Sequence, residues 1–216
     1  ISPLGAKLHK YLKIMLKKKL RPRIKARIRK MGLKKKLRPL IKARIRKNKE
    51  IVSKNIDSFF DWIKGAELIE LKQCKTDEDP VRPELDNVFR RSYGRKIYGV
   101  KYGGEIHAVM CFAYTNQIPK NVDELDKLSH DAFLQSAQRD QKVGKIAIAY
   151  TVWSKKKGGG KLIVKEVFKK IKKSNHLNRL VTLSPLTEMA TKFHSKNGAK
   201  LLQINESTQN FEYEVI

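Results

Sequence analysis

Acidic residues are missing where basic ones are densest. Residues 1–49 carry 21 of the 49 lysines and arginines and none of the 21 aspartates and glutamates, so this stretch supplies +21 of a formal charge of +28. Cysteine is scarce too. Cys74 and Cys111 are the only two, in no CxxC and at no Cys/His spacing that holds zinc, which excludes a disulfide scaffold and a structural metal site. No run approaches eighteen apolar residues, and lysines interrupt the apolar pattern of the N-terminal stretch, so a transmembrane helix and a usual secretory signal are excluded. Aromatics are nearly absent from the basic stretch, where Tyr11 stands alone; base stacking and sequence readout have nothing to work with there. The length of 216 residues excludes two full-sized domains and suits one domain of about 150 residues plus an extension. The first residue, Ile1, implies either processing of a longer precursor or a trimmed chain.

What is present at the N-terminus is a repeat. Leu16–Gly32 reads LKKKLRPRIKARIRKMG and Leu33–Lys49 reads LKKKLRPLIKARIRKNK, identical at 14 of 17 positions. Leu16, Leu20, Ile24 and Ile28 are spaced by four, as are Leu33, Leu37, Ile41 and Ile45, so each copy presents a thin apolar stripe when helical. Pro22 and Pro39 each remove a backbone donor and clash with the preceding turn, which predicts a kink or a helix start at the proline. Charge repulsion predicts that this arm, residues 1–50, is largely disordered without a partner. A polyanion removes that repulsion, since lysines and arginines neutralise phosphates and release counterions. Lys17, Lys18, Lys19, Arg21, Arg23, Arg27 and Arg29 in the first copy, and Lys34, Lys35, Lys36, Arg38, Arg44 and Arg46 in the second, are the expected nonspecific contacts to nucleic acid, DNA foremost. An anionic membrane surface and a targeting or solubilising tail are the alternative readings.

The body, residues 51–216, holds 28 basic and 21 acidic groups when Glu50 is counted with it. Its rhythm predicts a short amphipathic helix at Ile56–Ile63, a strand at Leu68–Gln73, and a short helix around Leu85–Arg91. Lys96–Lys101 and Glu105–Thr115 read as a hairpin closed by Tyr102, Gly103 and Gly104, and Asn121–Gln138 as a helix. Phe59, Phe60 and Trp62 read as core or docking residues. KIAIAYTVWS, Lys145–Ser154, reads as a central strand that empties into KKKGGG, Lys155–Gly160, and then into an amphipathic helix, Lys161–Lys173. Strand, glycine turn and helix in that order make an anion cradle: glycine lets the backbone approach a ligand, and the free amides of a helix start point at phosphate oxygens. Leu180–Ser184 then reads as a strand, Thr187–Lys196 as a helix, and Asn197–Ile204 and Phe211–Val215 as turn and strands.

These residues resemble the GNAT acyl-CoA N-acyltransferase superfamily over roughly residues 67–216. The superfamily's coenzyme motif, Gln or Arg, two residues, Gly, any residue, then Gly or Ala, is similar to Lys155–Gly160, with Lys155 in place of the usual first side chain. Its later helix, often ending in a Phe-Tyr pair before a Gly-Phe turn, is similar to Phe193–Ala199, with His194 and Ala199 replacing two aromatics. The resemblance implies an α/β fold: a mixed twisted sheet flanked by helices, its central strands splayed around a thioester, with the polybasic arm outside it. It also implies acetyl-CoA as cofactor. The backbone near Val152 and Trp153 would orient the acyl carbonyl, Lys155 and the amides of Gly158, Gly159 and Gly160 would hold the pyrophosphate, and Thr187 stands where many members have asparagine. His194 takes the position of the usual tyrosine acid, a role its ordinary pKa near neutrality suits.

No general base is marked by spacing. Glu105, His107, Tyr150 and Ser154 are candidates by order, with Glu105 and Tyr150 joining His194 as the catalytic set; Cys111 reads as strand packing rather than a nucleophile. Two function classes stay open. One is an acetyl-CoA-dependent N-acetyltransferase acting on a protein amine near nucleic acid, in the cytoplasm or on a nucleoid. The other is an inactive structural or packaging component of a nucleoprotein assembly, such as a DNA-associated protein of a virion interior. Deleting residues 1–49 should weaken nucleic-acid binding and flatten its salt dependence while the body stays folded, checked by DNA titrations at several salt concentrations.

Overall fold

The computed structural model describes residues 34–139 and 144–213. The first copy of the basic repeat lies outside the described residues, as do the side chains of Lys34, Lys35, Lys36 and Arg38. The chain divides into two units, Ile1–Asp61 and Trp62–Ile216.

The backbone is helical from Lys34 onward, in a helix (α1) that runs to Gly65, its last four residues belonging to the second unit. It passes through Pro39 rather than starting or breaking there, and it absorbs the shorter helix expected at Ile56–Ile63. Pro39 sits early in the helix, where its missing amide forgoes a single bond to the carbonyl of Lys35. The side chains of Arg44 and Arg46 are exposed, Arg46 lying 3.9 Å from Glu50 one turn on. Phe59 and Phe60 are exposed as well and meet edge to face at 6.3 Å, whereas Trp62, in the second unit, is fully buried.

The second unit is a mixed sheet with helices on its faces. Its strands are β1 (Glu67–Leu71), β2 (Lys96–Tyr102), β3 (Glu105–Thr115), β4 (Ile146–Ser154), β5 (Arg179–Thr182), β6 (Ser184–Pro185), β7 (Ala199–Ile204) and β8 (Thr208–Tyr213). They run in the order β1-β2-β3-β4-β5-β8, with β6 and β7 both pairing β8, and only β4 and β5 are parallel. The expected hairpin is there: Gly103 and Gly104 have φ of 58° and 87°, the two positive angles that a two-residue turn matching strand twist requires.

Alternation along the strands sorts two cores. Ala108, Met110, Phe112, Ala147 and Ala149 face Leu162, Ile163, Val167 and Ile171 of α3 (Gly159–Lys172), and Trp62 belongs to the same core. Ile97, Val109, Cys111, Ile146, Ile148 and Trp153 face the other way, joined by Leu125 of α2 (Val122–Arg139). A last helix, α4 (Glu188–Lys196), precedes β7.

Two irregularities in β4 shape everything beside it. Ala149 pairs with Phe112 and Thr151 with Cys111, so Tyr150 is an extra residue, a β-bulge. The parallel pairing with β5 spans only Ile146–Ala149 against Arg179–Thr182 and ends with Leu183 donating its amide to the Ala149 carbonyl at 2.9 Å. Past that point β4 continues to Ser154 while the neighbouring chain turns off into β6, which is why the expected strand Leu180–Ser184 is broken in two.

The segment after β1 is held by side chains and not by the helix expected at Leu85–Arg91. It forms turns and a 3-10 stretch, Phe89–Gly94, interrupted at Ser92 and Tyr93. Asp79 and Arg90 are fully buried and paired at 2.8 Å. Arg90 also donates to the carbonyls of Leu85 and Arg82 at 2.8 and 2.7 Å and lies 3.3 Å from Cys111 Sγ. Asp79 accepts from the amides of Val81 and Arg82 at 2.9 and 3.2 Å and from Thr151 Oγ1 at 2.8 Å. A non-local pair outweighs local helix propensity here because a buried charge left alone costs several kcal/mol. Asp79→Ala should therefore cost about 3–5 kcal/mol in urea unfolding, and the double variant Asp79→Leu with Arg90→Met should recover much of that loss.

Candidate active site

Where β4 and β5 part there is a cavity of about 200 Å³. Met110, Ala149, Val152, Val164, Leu180 and Phe193 make its walls apolar, and Pro80 and Val81 of the Asp79 loop also line it. The carbonyl of Tyr150, left without a β5 partner by the parting, is taken by the buried guanidinium of Arg82.

The glycine turn lies against this cavity. Lys155 donates its amide to the His107 carbonyl at 2.9 Å as β4 ends, and Gly158, with φ of 87°, takes the left-handed backbone that starts α3. The first α-helical bond runs from the Leu162 amide to the Gly158 carbonyl at 3.0 Å; of the first-turn amides, that of Gly159, expected at the pyrophosphate, is already taken by the Lys156 carbonyl at 2.9 Å, which leaves those of Gly160 and Lys161 without an acceptor in the helix. A Cβ on Gly160 would stand 3.1 Å from the Phe193 ring, and one on Gly159 3.0 Å from Ser154 Cβ. The turn can hold a phosphate group and the cavity beside it an apolar, thioester-sized chain.

One wall carries a connected set of polar groups. His194 Nε2 lies 2.8 Å from Ser184 Oγ, and Nδ1 lies 3.0 Å from the Tyr213 hydroxyl. Ser184 Oγ donates to Thr182 Oγ1 at 3.0 Å, and Thr182 Oγ1 accepts the Phe211 amide at 3.1 Å. The imidazole stacks on Phe211 at 5.1 Å. Burial pushes the His194 pKa down to about 4, so the ring is neutral near pH 7. A chain of hydroxyl, imidazole and hydroxyl can pass a proton along itself without any member becoming charged in the resting state.

No protein-family model matches the chain, and no curated protein matches it. Solved structures do. The GphF GNAT-like decarboxylase in complex with isobutyryl-CoA superposes with a TM-score of 0.53 at 11% identity, over 69% of this chain and 100% of that one. The loading GNATL domain of CurA from Lyngbya majuscula gives 0.50 at 10% identity, over 69% and 98%. Malonyl-CoA decarboxylase from Cupriavidus metallidurans gives 0.41 at 20% identity; 64% of this chain is covered but only 36% of that longer one.

The chain has the GNAT fold.

Within this GNAT fold the expected site residues separate into two groups. Tyr150, Val152, Gly160, Thr187 and His194 line the cavity, and Gly158 and Gly159 form the adjoining turn. Glu105, Trp153 and Lys155 do not line it; they border a separate cleft of about 670 Å³ with Glu78 and Cys74. The bulge explains Trp153: the odd-numbered Ala147 and Ala149 face α3, yet one extra residue reverses the phase, so Val152 takes that face and Trp153 the opposite one. Lys155 pairs with Glu78 at 2.6 Å, and Lys156 lies 5.1 and 4.8 Å over the rings of Trp62 and Tyr102, leaving Lys157 exposed at the turn.

Three expected roles change. The Tyr150 side chain belongs to the core facing away from α3, edge-on to Phe89 at 6.0 Å, and burial raises its phenol pKa, so it does not serve the cavity as an acid. Thr187 Oγ1 accepts the Ala190 amide at 3.3 Å as the N-cap of α4, a structural use of the oxygen expected at a coenzyme. His194 is no imidazolium donor at neutral pH, because burial and not its ordinary pKa sets its state. Ser184, Tyr213 and Thr182 escaped sequence reading. Their signal was period two: Thr182 with Ser184, and Phe211 with Tyr213, each fall on one face.

The His194 pKa lies below its unfolded value, so between about pH 4 and 6.5 the unfolded chain binds a proton that the folded chain does not. Stability from this residue is complete above pH 6.5 and falls as pH drops toward 4, by about 3 kcal/mol in all. Urea midpoints measured across that window should show the loss in the native chain and a flatter profile in His194→Gln.

Proposed function

We propose that this protein is an acyl-CoA-dependent N-acyltransferase whose basic arm holds it on nucleic acid. The observation that carries the reading is the contiguity of the parted β4 edge, the glycine turn and the Ser184–His194–Tyr213 chain around one apolar cavity. Acetyl-CoA, as substrate, would bring an acyl group already activated as a thioester. The amides of Gly160 and Lys161 and the side chain of Lys157 would bind its pyrophosphate, and the β4 backbone near Val152, past its pairing with β5, would orient the carbonyl. The Ser184 hydroxyl, rotated from Thr182 toward the cavity and backed by His194 and Tyr213, would give the departing sulfur a proton. The acceptor class is a neutral amine, a protein lysine or N-terminus near nucleic acid.

A second reading has an observation of its own. Among the described residues no aspartate or glutamate lines the cavity, so no carboxylate there is fitted to take a proton from an incoming ammonium. Loss of CO2 from a carboxyacyl-CoA needs no such base, only a proton returned to carbon, which the Ser184–His194 pair can deliver, and GphF is a GNAT-like decarboxylase. The structural, nucleoprotein reading stands on the arm alone.

Calorimetric titration with acetyl-CoA tests the site. Saturable binding is expected in the native chain and at least tenfold weaker binding in Gly160→Phe, whose ring would collide with Phe193, with DNA binding by the two chains equal. Release of free CoA only when an amine is added supports the transferase; CO2 release from malonyl-CoA without an amine supports the decarboxylase; the absence of saturable binding supports the structural reading.

A further inference from the structure

The net positive charge of the body comes from one stretch. Lys155–Lys173 contains nine lysines and one acid, Glu166, while the other residues from 50 to 216 hold 19 basic and 20 acidic groups. The glycine turn and α3 thus account for the whole excess.

In α3 the lysines form a ridge. Leu162, Ile163, Val164, Val167 and Ile171 are buried against the sheet, and Lys161, Lys165, Lys169, Lys170 and Lys172, with Lys173 at the C-cap, are exposed, Lys170 lying 5.4 Å over the Tyr98 ring. Lys161, Lys165, Lys169 and Lys173 recur every fourth residue, about 6 Å apart along the axis and about 18 Å from first to last. Lys169 has Glu166 at 2.7 Å, and Lys172 lies 5.9 Å from the Phe168 ring centre. The arrangement works against the helix: no acid occupies its first turn, Lys161 stands at the positive end of the dipole, and like charges at four-residue spacing repel. Lysines in the last turn suit the dipole; those at Lys161 and Lys165 do not.

A ligand of matching length and opposite charge removes these costs. A bound nucleotide phosphate reaches only the turn and the first lysine. A membrane surface asks for several exposed apolar side chains beside the lysines, and the apolar side of α3 is committed to the core apart from the half-buried Phe168. A nucleic-acid duplex offers about ten phosphates along 18 Å. We infer that the lysine ridge of α3 is a phosphate-backbone binding surface for nucleic acid on the body itself, separate from the arm and independent of the acyl-transfer reading. Lysines without arginine or amide partners read charge and not sequence.

Lysine footprinting of the full chain with acetic anhydride tests this, with and without a short mixed-sequence DNA duplex. Lys165, Lys169, Lys172 and Lys173 should be protected severalfold at low salt and exposed again at high salt. Their joint replacement by alanine should lower the slope of log K against log salt by about 3 to 4. Protection confined to lysines before residue 50, or an unchanged slope, overturns the inference. Equal protection of these four by coenzyme A alone assigns the ridge to the cofactor, and stronger protection by anionic vesicles assigns it to a membrane; either result overturns it as well.

Discussion

The hydrogen bonding between β4 and β5 stops after four residues, and the second unit is organised around that stop. A parallel pair buried on both faces ordinarily continues, because each unpaired amide or carbonyl inside a protein costs free energy. Here Leu183 closes the ladder on Ala149 and Arg82 takes the carbonyl of Tyr150. Two of the backbone groups that the parting would strand are thereby satisfied within the protein. The walls of the opening are apolar because they are the continuation of the core packed on α3, and its position beside the glycine turn follows from β4 feeding that turn directly.

Charge is used in two contrasting ways. The Asp79–Arg90 pair is dry, with Arg90 bonded to carbonyls and a sulfur, and it fixes a loop that has little regular structure of its own. On α3 the lysines have solvent on one side and few acids nearby, an arrangement that favours binding over stability. His194 is a third case: burial keeps it uncharged, so its part in the cavity is that of a hydrogen-bonding bridge between hydroxyls.

Much of this architecture was legible in local sequence. Two glycines between alternating strands marked the hairpin at Gly103 and Gly104, and the KKKGGG run marked the junction of β4 and α3 to within a residue or two. What could not be read depends on partners distant along the chain. Arg90 finds Asp79 and Cys111 only when the fold closes, so residues near Leu85 looked helical. Trp153 was expected at the cavity from the resemblance and from its place beside the glycine turn, and nothing in KIAIAYTVWS announces that Tyr150 is uncounted by its partner strand, which turns Trp153 to the other face. His194 was recognised by position, while its companions Ser184 and Tyr213 come from two other strands.

The extra residue in β4 has a bearing on how such a protein can diverge. What places Val152 toward the cavity and Trp153 away from it is a difference of one in strand length between β4 and β3, not the identity of either side chain. Substitution can turn over nearly every position of the strand and leave that offset intact. Insertion or deletion of a single residue cannot, since it would exchange inside for outside along the rest of β4. The site is in this sense written in spacing, and a comparison that scores residues one by one is blind to it.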